Sequence, residues 1–140
     1  MLSFAAREAD IISLAPRIRG TRSDPLSVTA AATEEKIGWI REAAGDRFDH
    51  LELNIYPTTG EPEITDHPRS AAAALAARVK ERSGVDISVD DLLESPQIFI
   101  GSVDGLVEKL QGLRERFGIS SIMVGDIEPL APVVRRLAGT

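Results

Sequence analysis

Residues 96–126 read PQIFIGSVDGLVEKLQGLRERFGISSIMVGD, and the fold follows from them. A short extended run at 97–100 leads into a polar turn, Gly101-Ser102. Apolar residues then step by three or four through Val103, Leu106, Val107, Leu110, Leu113 and Phe117. That spacing predicts a helix with one buried face. Ser102 suits the N-cap, and Asp104 and Glu108 lie near the positive end of the helix. Gly118 stands where a left-handed C-cap belongs. The apolar run 119–124, closed by Gly125-Asp126, reads as a buried parallel strand. Helix, glycine and buried strand make half of a repeating α/β unit.

The same grammar extends toward both ends. Residues 1–8 give a short helical pattern with Leu2, Ala5, Ala6 and Ala9 on one side, and 10–15 read as a buried strand closed by Pro16. Thr33 is the expected N-cap of the next helix, with Glu34 and Glu35 in its first turn. Ile37, Ile40, Ala43 and Ala44 form its core face, Gly45 ends it, and Trp39 falls off the stripe. In 51–56, Leu51, Leu53 and Ile55 alternate with Glu52, Asn54 and Tyr56, which predicts a strand with one more polar side. Residues 69–83 are an alanine-rich helix closed by Gly84. Ser88 three residues before Asp91 resembles a capping box opening a short helix that Pro96 ends. The final segment, 128–138, predicts a helix with Pro129 in its first turn, a stripe of Leu130, Val133, Val134 and Leu137, and Gly139 as its end. Three buried strands near 11–15, 51–56 and 119–124 alternate with helices. The expected fold is α/β, a parallel sheet with right-handed crossovers in one domain spanning 1–140.

Composition removes several classes of function. The chain has no cysteine, so disulfides, thiolate nucleophiles and thiolate metal sites are excluded. A formal charge of -6 argues against a partner held by phosphate attraction, and no nucleic-acid role is expected. No apolar run approaches the roughly 20 residues that span a bilayer. The N-terminal MLSFAAREAD carries acidic residues where a signal peptide is basic. A soluble, cytoplasmic protein without membrane partners is expected. Gly-x-Gly-x-x-Gly and phosphate-loop lysine motifs are absent, and no Ser/His/Asp set is recognisable by spacing. His50 and His67 are isolated, so no metal site is expected.

Two loops and one strand hold the candidate binding residues. Residues 16–32 carry Arg17, Arg19 and Arg22 among Pro, Gly, Ser and Asp. They form either a solvated connection or an anion site at the carboxyl end of a strand, where α/β proteins bind ligands. Gly101-Ser102 is either a plain helix start or an anion-binding helix N-terminus. Glu52 and Asn54 either hydrogen-bond neighbouring strands or face a ligand.

Several runs resemble one family: AAREADIISLAP (5–16), EEKIGWIREAAGDRF (34–48), LELNIY (51–56), SPQIFIGSVDGLVEKLQGLRERFGISSIMV (95–124) and APVVRRLAGT (131–140). Together they are similar to the C-terminal part of the luciferase-like monooxygenase family, in particular the oxidoreductases dependent on the deazaflavin coenzyme F-420. The resemblance implies parallel βα units equivalent to strands 6–8 of a (β/α)8 barrel, with the first five strands and a glycine-rich phosphate turn outside the chain. It implies a flavin or deazaflavin oxidoreductase fragment, active when an N-terminal half-barrel polypeptide is supplied, with FMN or coenzyme F-420 as the cofactor. The alternative is a catalytically inactive oligomeric half-barrel or an anion-binding module. Arg17, Arg19, Gly101 and Ser102 are the expected cofactor-binding residues. Asn54, Tyr56 and Asp126, with Leu14 and Gly125, are the expected substrate wall, and no catalytic residue is assigned. Open strand edges imply self-association into a dimer or larger assembly.

Overall fold

A few hydroxyls, carboxylates and glycines decide where the helices begin and stop. The computed structural model describes residues 1–57 and 61–138. The chain opens with α1 (Leu2–Glu8) and β1 (Ile11–Ser13), followed by a small antiparallel hairpin of β2 (Ile18–Arg19) and β3 (Arg22–Ser23). Next come α2 (Ala30–Ala44), β4 (Glu52–Ile55), β5 (Glu63–Ile64), α3 (Pro68–Ser83) and α4 (Val89–Glu94). The chain ends with β6 (Ile100–Gly101), α5 (Val103–Phe117), β7 (Ile119–Ile122) and α6 (Ala131–Leu137). The strands β1, β4 and β7 form a parallel sheet with β4 in the centre, and β5 and β6 form a second, short parallel pair. The protein is thus α/β with parallel strands. Among the described residues, no helix is long and apolar enough to cross a membrane.

Within the segment that decided the sequence reading, α5 folds as expected, while the extended run starts later: residues 96–97 form a turn and β6 is Ile100–Gly101, so Gly101 pairs in a strand instead of turning. Ser102 Oγ accepts from the Gly105 N–H at 3.1 Å, and Gly118 closes α5 at φ 68°, a backbone region that glycine enters without a Cβ clash. Leu106, Leu113 and Phe117 are buried. The start of α2 lies one turn earlier than expected. Thr29, not Thr33, is the N-cap and accepts from the Ala32 N–H at 3.2 Å. Asp24 caps a 3-10 turn over Pro25–Val28 that delivers Thr29 in extended backbone, so alanines 30–32 join the helix they favour. Thr33 is fully buried inside α2, its hydroxyl donating to the Thr29 carbonyl at 3.0 Å. At the other end, a 3-10 turn over Glu128–Leu130 precedes α6, and Val134 is exposed rather than part of the buried stripe. Gly139 lies outside the described residues.

The largest departure from expectation concerns the sheet. All three strands read as buried, yet among the described residues only one face is covered. Ile12, Leu14, Leu53, Ile55 and Ile119 pack with Ala6 of α1, Ile37 and Ile40 of α2, Leu106 of α5 and Val133 of α6 in one core. On the opposite face Ile11 is 59% exposed, Met123 57% and Tyr56 42%. Alternation along each strand sends neighbouring residues to opposite faces, and the helices occupy only one of them. Parallel sheets are normally covered on both faces. A second core, of Val28, Ala72, Leu75, Val79, Ile87, Leu92, Ile98 and Ile100, joins α3 and α4 to the β5–β6 pair.

A bulge sets the alignment of β7. Leu53 pairs with Ile119 but Asn54 pairs with Ser121, so two residues of β7 oppose one of β4. Ser120 is the extra residue. The shift turns Ser121 onto the open face beside Asn54, while Ile119 and Ile122 stay with the core-facing Leu53 and Ile55. This division of faces predicts unequal mutational costs. Leu53→Ala should lower stability by about 2–5 kcal/mol through the cavity it leaves. Met123→Ala should stay within about 0.5 kcal/mol when the chain is a monomer. Urea denaturation of the two variants checks this, and equal costs would mean that the two faces are wrongly assigned.

Candidate functional site

Four polar side chains cross the open face of the sheet in a single directed chain. Ser13 Oγ on β1 donates to Asn54 Oδ1 on β4 at 2.8 Å. Asn54 Nδ2 donates to Ser121 Oγ on β7 at 2.9 Å, and Ser121 Oγ donates to Glu52 Oε1 at 2.5 Å. The Glu52 carboxylate only accepts, which obliges Ser121 to give its proton there and to receive the Asn54 amide N–H. That fixes the amide orientation, and Ser13 must then donate to its oxygen. Asn54 is buried despite lying on the uncovered side, because its neighbours on both strands enclose it. The unspent capacity of the chain is mostly acceptor capacity, the lone pairs of Ser13 Oγ and Glu52, beside the second N–H of the Asn54 amide.

The other expected residues are dispersed. Tyr56 follows β4 directly, at the carboxyl end of the sheet, and is exposed. Arg17 and Arg19 lie on and next to the β2–β3 hairpin. Arg19 Nε donates to Asp24 Oδ2 at 2.9 Å, and Arg22 Nη1 donates to the Arg82 carbonyl at 2.7 Å. Two of the three loop arginines are thus held by protein acceptors. Gly101 is buried, and its carbonyl accepts from the Thr65 N–H at 2.9 Å in the β5–β6 pairing. The Ser102 hydroxyl caps α5 as described. Asp126 Oδ1 accepts from the Glu128 N–H at 3.0 Å and so shapes the turn before α6. Among the described residues, no hydrogen bond or ion pair joins the arginine hairpin to Gly101, Ser102 or Asp126. Of the residues expected in one wall, Asn54 on β4 and Tyr56 directly after it stand on the same side of the strand.

The sequence reading missed a cluster at the carboxyl end of β1. Lys36 Nζ donates to the carbonyls of Ala15 at 2.9 Å and Ser27 at 2.8 Å. Gln97 Nε2 donates to the Leu14 carbonyl at 2.8 Å, and Ser95 Oγ donates to the Val28 carbonyl at 2.5 Å. Burial lowers the Lys36 pKa, reinforced by the Arg17 charge, while Asp24 and Glu35 push it back up. Lys109 repeats the pattern. Its Nζ donates to the carbonyls of Leu93 at 2.6 Å and Ile98 at 2.7 Å. Burial brings its pKa down to about 8, partly offset by Glu94. Spacing held a signal for both. Lys36 lies three residues after Thr33 and four before Ile40, and Lys109 lies three after Leu106 and four before Leu113. Each therefore falls on its helix's apolar stripe.

No family model, curated protein or solved structure matches the chain.

Two outcomes follow from this geometry. Asn54→Leu removes the centre of the polar chain and leaves Ser13 and Ser121 with unmet partners, so it should cost about 1–3 kcal/mol. Thermal and urea unfolding test this, and a neutral result would mean that the chain bears no weight. For Lys109 the folded pKa, about 8, lies below the ordinary value of 10.5. Between these values the unfolded chain binds more protons than the folded one, so the Lys109 contribution makes stability rise with pH through that window. Urea denaturation at pH 8 and pH 10 should show a smaller rise for Lys109→Met than for the wild type. Equal slopes would place the amine at its ordinary pKa.

Proposed function

We propose that this chain forms one wall of the cofactor pocket in a luciferase-like oxidoreductase, corresponding to strands 6–8 of a (β/α)8 barrel. The observation that carries the reading is the uncovered sheet face with the Ser13–Asn54–Ser121–Glu52 chain across it. A barrel has helices outside and a side-chain-lined interior, and a segment cut from one has a helix-covered face and a bare face. The resemblance of the runs at 5–16, 34–48, 51–56 and 95–124 supports the same assignment. Acceptors on the bare face suit a ligand that offers N–H donors, as the pyrimidine ring of FMN or of coenzyme F-420 does. The cofactor would carry the hydride or oxygen chemistry, and Asn54 and Tyr56 would position it. The remaining wall comes from an N-terminal half-barrel or from a second copy of this chain.

A second reading, a catalytically inactive oligomeric half-barrel, draws on two observations. Asp24 pairs with Arg19, and Ser102 Oγ already accepts from the Gly105 N–H of its own helix, so phosphate capture would rest on few groups. Ile11 and Met123 on the bare face favour association in either case.

Titration with FMN and with coenzyme F-420, followed by cofactor and Trp39 fluorescence with light scattering on the same sample, tests the readings. The first predicts saturable binding with micromolar Kd, weakened at least tenfold by Asn54→Leu, in the presence of a co-expressed N-terminal half or in a self-assembled oligomer. A folded oligomer that binds neither cofactor, with or without that half, overturns it in favour of the second.

A further inference from the structure

Lys109 stands in an unusual position on a helix otherwise built for packing. It lines an open groove of about 460 Å³ between the end of α4 and the second half of α5. Leu93, Leu113 and Phe117 give the groove an apolar floor, and Glu94, Glu115 and Arg116 flank it with charge, Arg116 also reaching Glu34 Oε2 at 3.4 Å through one Nη. The amine is held by two main-chain carbonyls, those of Leu93 and Ile98. A tetrahedral nitrogen bonded to Cε and donating twice has one position left. In the ammonium that position holds the third proton, and in the neutral amine it holds the lone pair, with both hydrogen bonds kept. The nitrogen is thus oriented in the same way whether charged or neutral.

We propose that Lys109 is a covalent acylation site, its Nζ accepting an acyl group from an acyl phosphate that enters the groove between α4 and α5. The lone pair attacks the acyl carbon, the bond from that carbon to the phosphate oxygen breaks, and phosphate leaves with the electron pair. The nitrogen then loses one proton to water. The resulting ε-amide has a single N–H, so either Leu93 or Ile98 loses its donor, and the corner between α4 and β6 is loosened from α5. The apolar floor receives a short acyl chain, and Arg116 attracts the phosphate.

The chain has three lysines, which provide internal comparisons. Lys36 also bonds two main-chain carbonyls but is only 5% exposed. Lys80 is exposed and paired with Asp86 at 2.8 Å. The charged groups around Lys109 are Glu94 from α4 and Glu115 and Arg116 from α5 itself. Glu94 favours the ammonium, and burial outweighs it. At pH 8 about half of Lys109 is neutral, against about one in three hundred for an amine at the ordinary 10.5.

Incubation with acetyl phosphate at pH 8, with site occupancy read by peptide mass spectrometry, tests the proposal. Lys109 should acetylate at least tenfold faster than Lys80, and Lys36 slowest. The lead of Lys109 should shrink between pH 8 and pH 10.5, because Lys109, already about half neutral at pH 8, has only about a twofold gain of neutral amine left there. Arg116→Gln should slow Lys109 at least threefold and leave Lys80 unchanged. Lys109→Arg, which keeps donors for both carbonyls, should fold normally and lose the modified peptide. Acetylation of Lys80 as fast as Lys109 in the folded chain overturns the proposal, and so does an Arg116→Gln variant with an unchanged Lys109 rate.

Discussion

The carbonyl groups at the end of β1 are the constraint around which the fold is arranged. The chain leaves the sheet after Leu14, turns through Pro16 into a short hairpin, and returns at Pro25–Val28. That path leaves the carbonyls of Leu14, Ser27 and Val28 buried and that of Ala15 partly buried, without strand partners for them. An unmet buried carbonyl costs about 1–3 kcal/mol, so leaving these unmet would cost an amount comparable with the whole stability of a small domain. Lys36 from α2 and Gln97 and Ser95 from the 95–97 segment supply the donors. Lys36 enters the interior in this role, two carbonyl oxygens replacing its water and Asp24 giving distant electrostatic help.

The clamp also decides how the two cores meet. Leu14 and Phe99 belong to the core under the sheet, while Val28, Ile98 and Ile100 belong to the core under α3 and α4. Along this segment Phe99 turns into one core and its neighbours Ile98 and Ile100 into the other. Gln97 and Ser95 fix the start of this divided segment against β1 and the 3-10 turn. Lys109 fixes its far side, through the Leu93 and Ile98 carbonyls, against α5. Hydrogen bonds from Ser95, Gln97 and Lys109 thus set the position of a strand whose own sheet pairing is only two residues long.

How much of this was legible in the sequence depends on the range of the interaction. The α5 segment was readable almost to the residue, because its cap, apolar stripe and terminal glycine all act within one turn of the backbone they control. The α2 start was misplaced because Thr29 and Thr33 are both good caps locally, and the choice between them was made by the preceding 3-10 turn. The order of β1, β4 and β7 is consistent with the alternation of strands and helices. Their exposed face was hidden, since Ile11 and Met123 look like core residues and nothing local says that no helix covers them. The doublet Ser120-Ser121 concealed a bulge, which depends on the pairing with β4. The site fared likewise. Glu52 and Asn54 stood out as polar residues in a strand, but Ser13, Ser121, Lys36 and Gln97 become meaningful only through partners as many as 83 residues away.

The bulge and the polar chain explain each other. Without the extra residue, strict alternation would place Ser121 on the same face as Ile119, in the core, and Ile122 on the bare face. The core would then hold a serine hydroxyl without a partner, and Asn54 would lose the acceptor for its amide N–H. With the bulge, Ser121 meets Asn54 and Ile122 meets Ile55. A bulge weakens the ladder locally, and a purely apolar β7 facing purely apolar neighbours would have no need of one. Its presence beside the buried Asn54 means that the sequence keeps a directed polar chain on this face at the expense of a simpler sheet. The chain ends in a carboxylate, so every proton in it points from Ser13 toward Glu52. The uncovered face is consequently an ordered surface of fixed hydrogen-bonding sense, which bare strands lacking such a network would not provide.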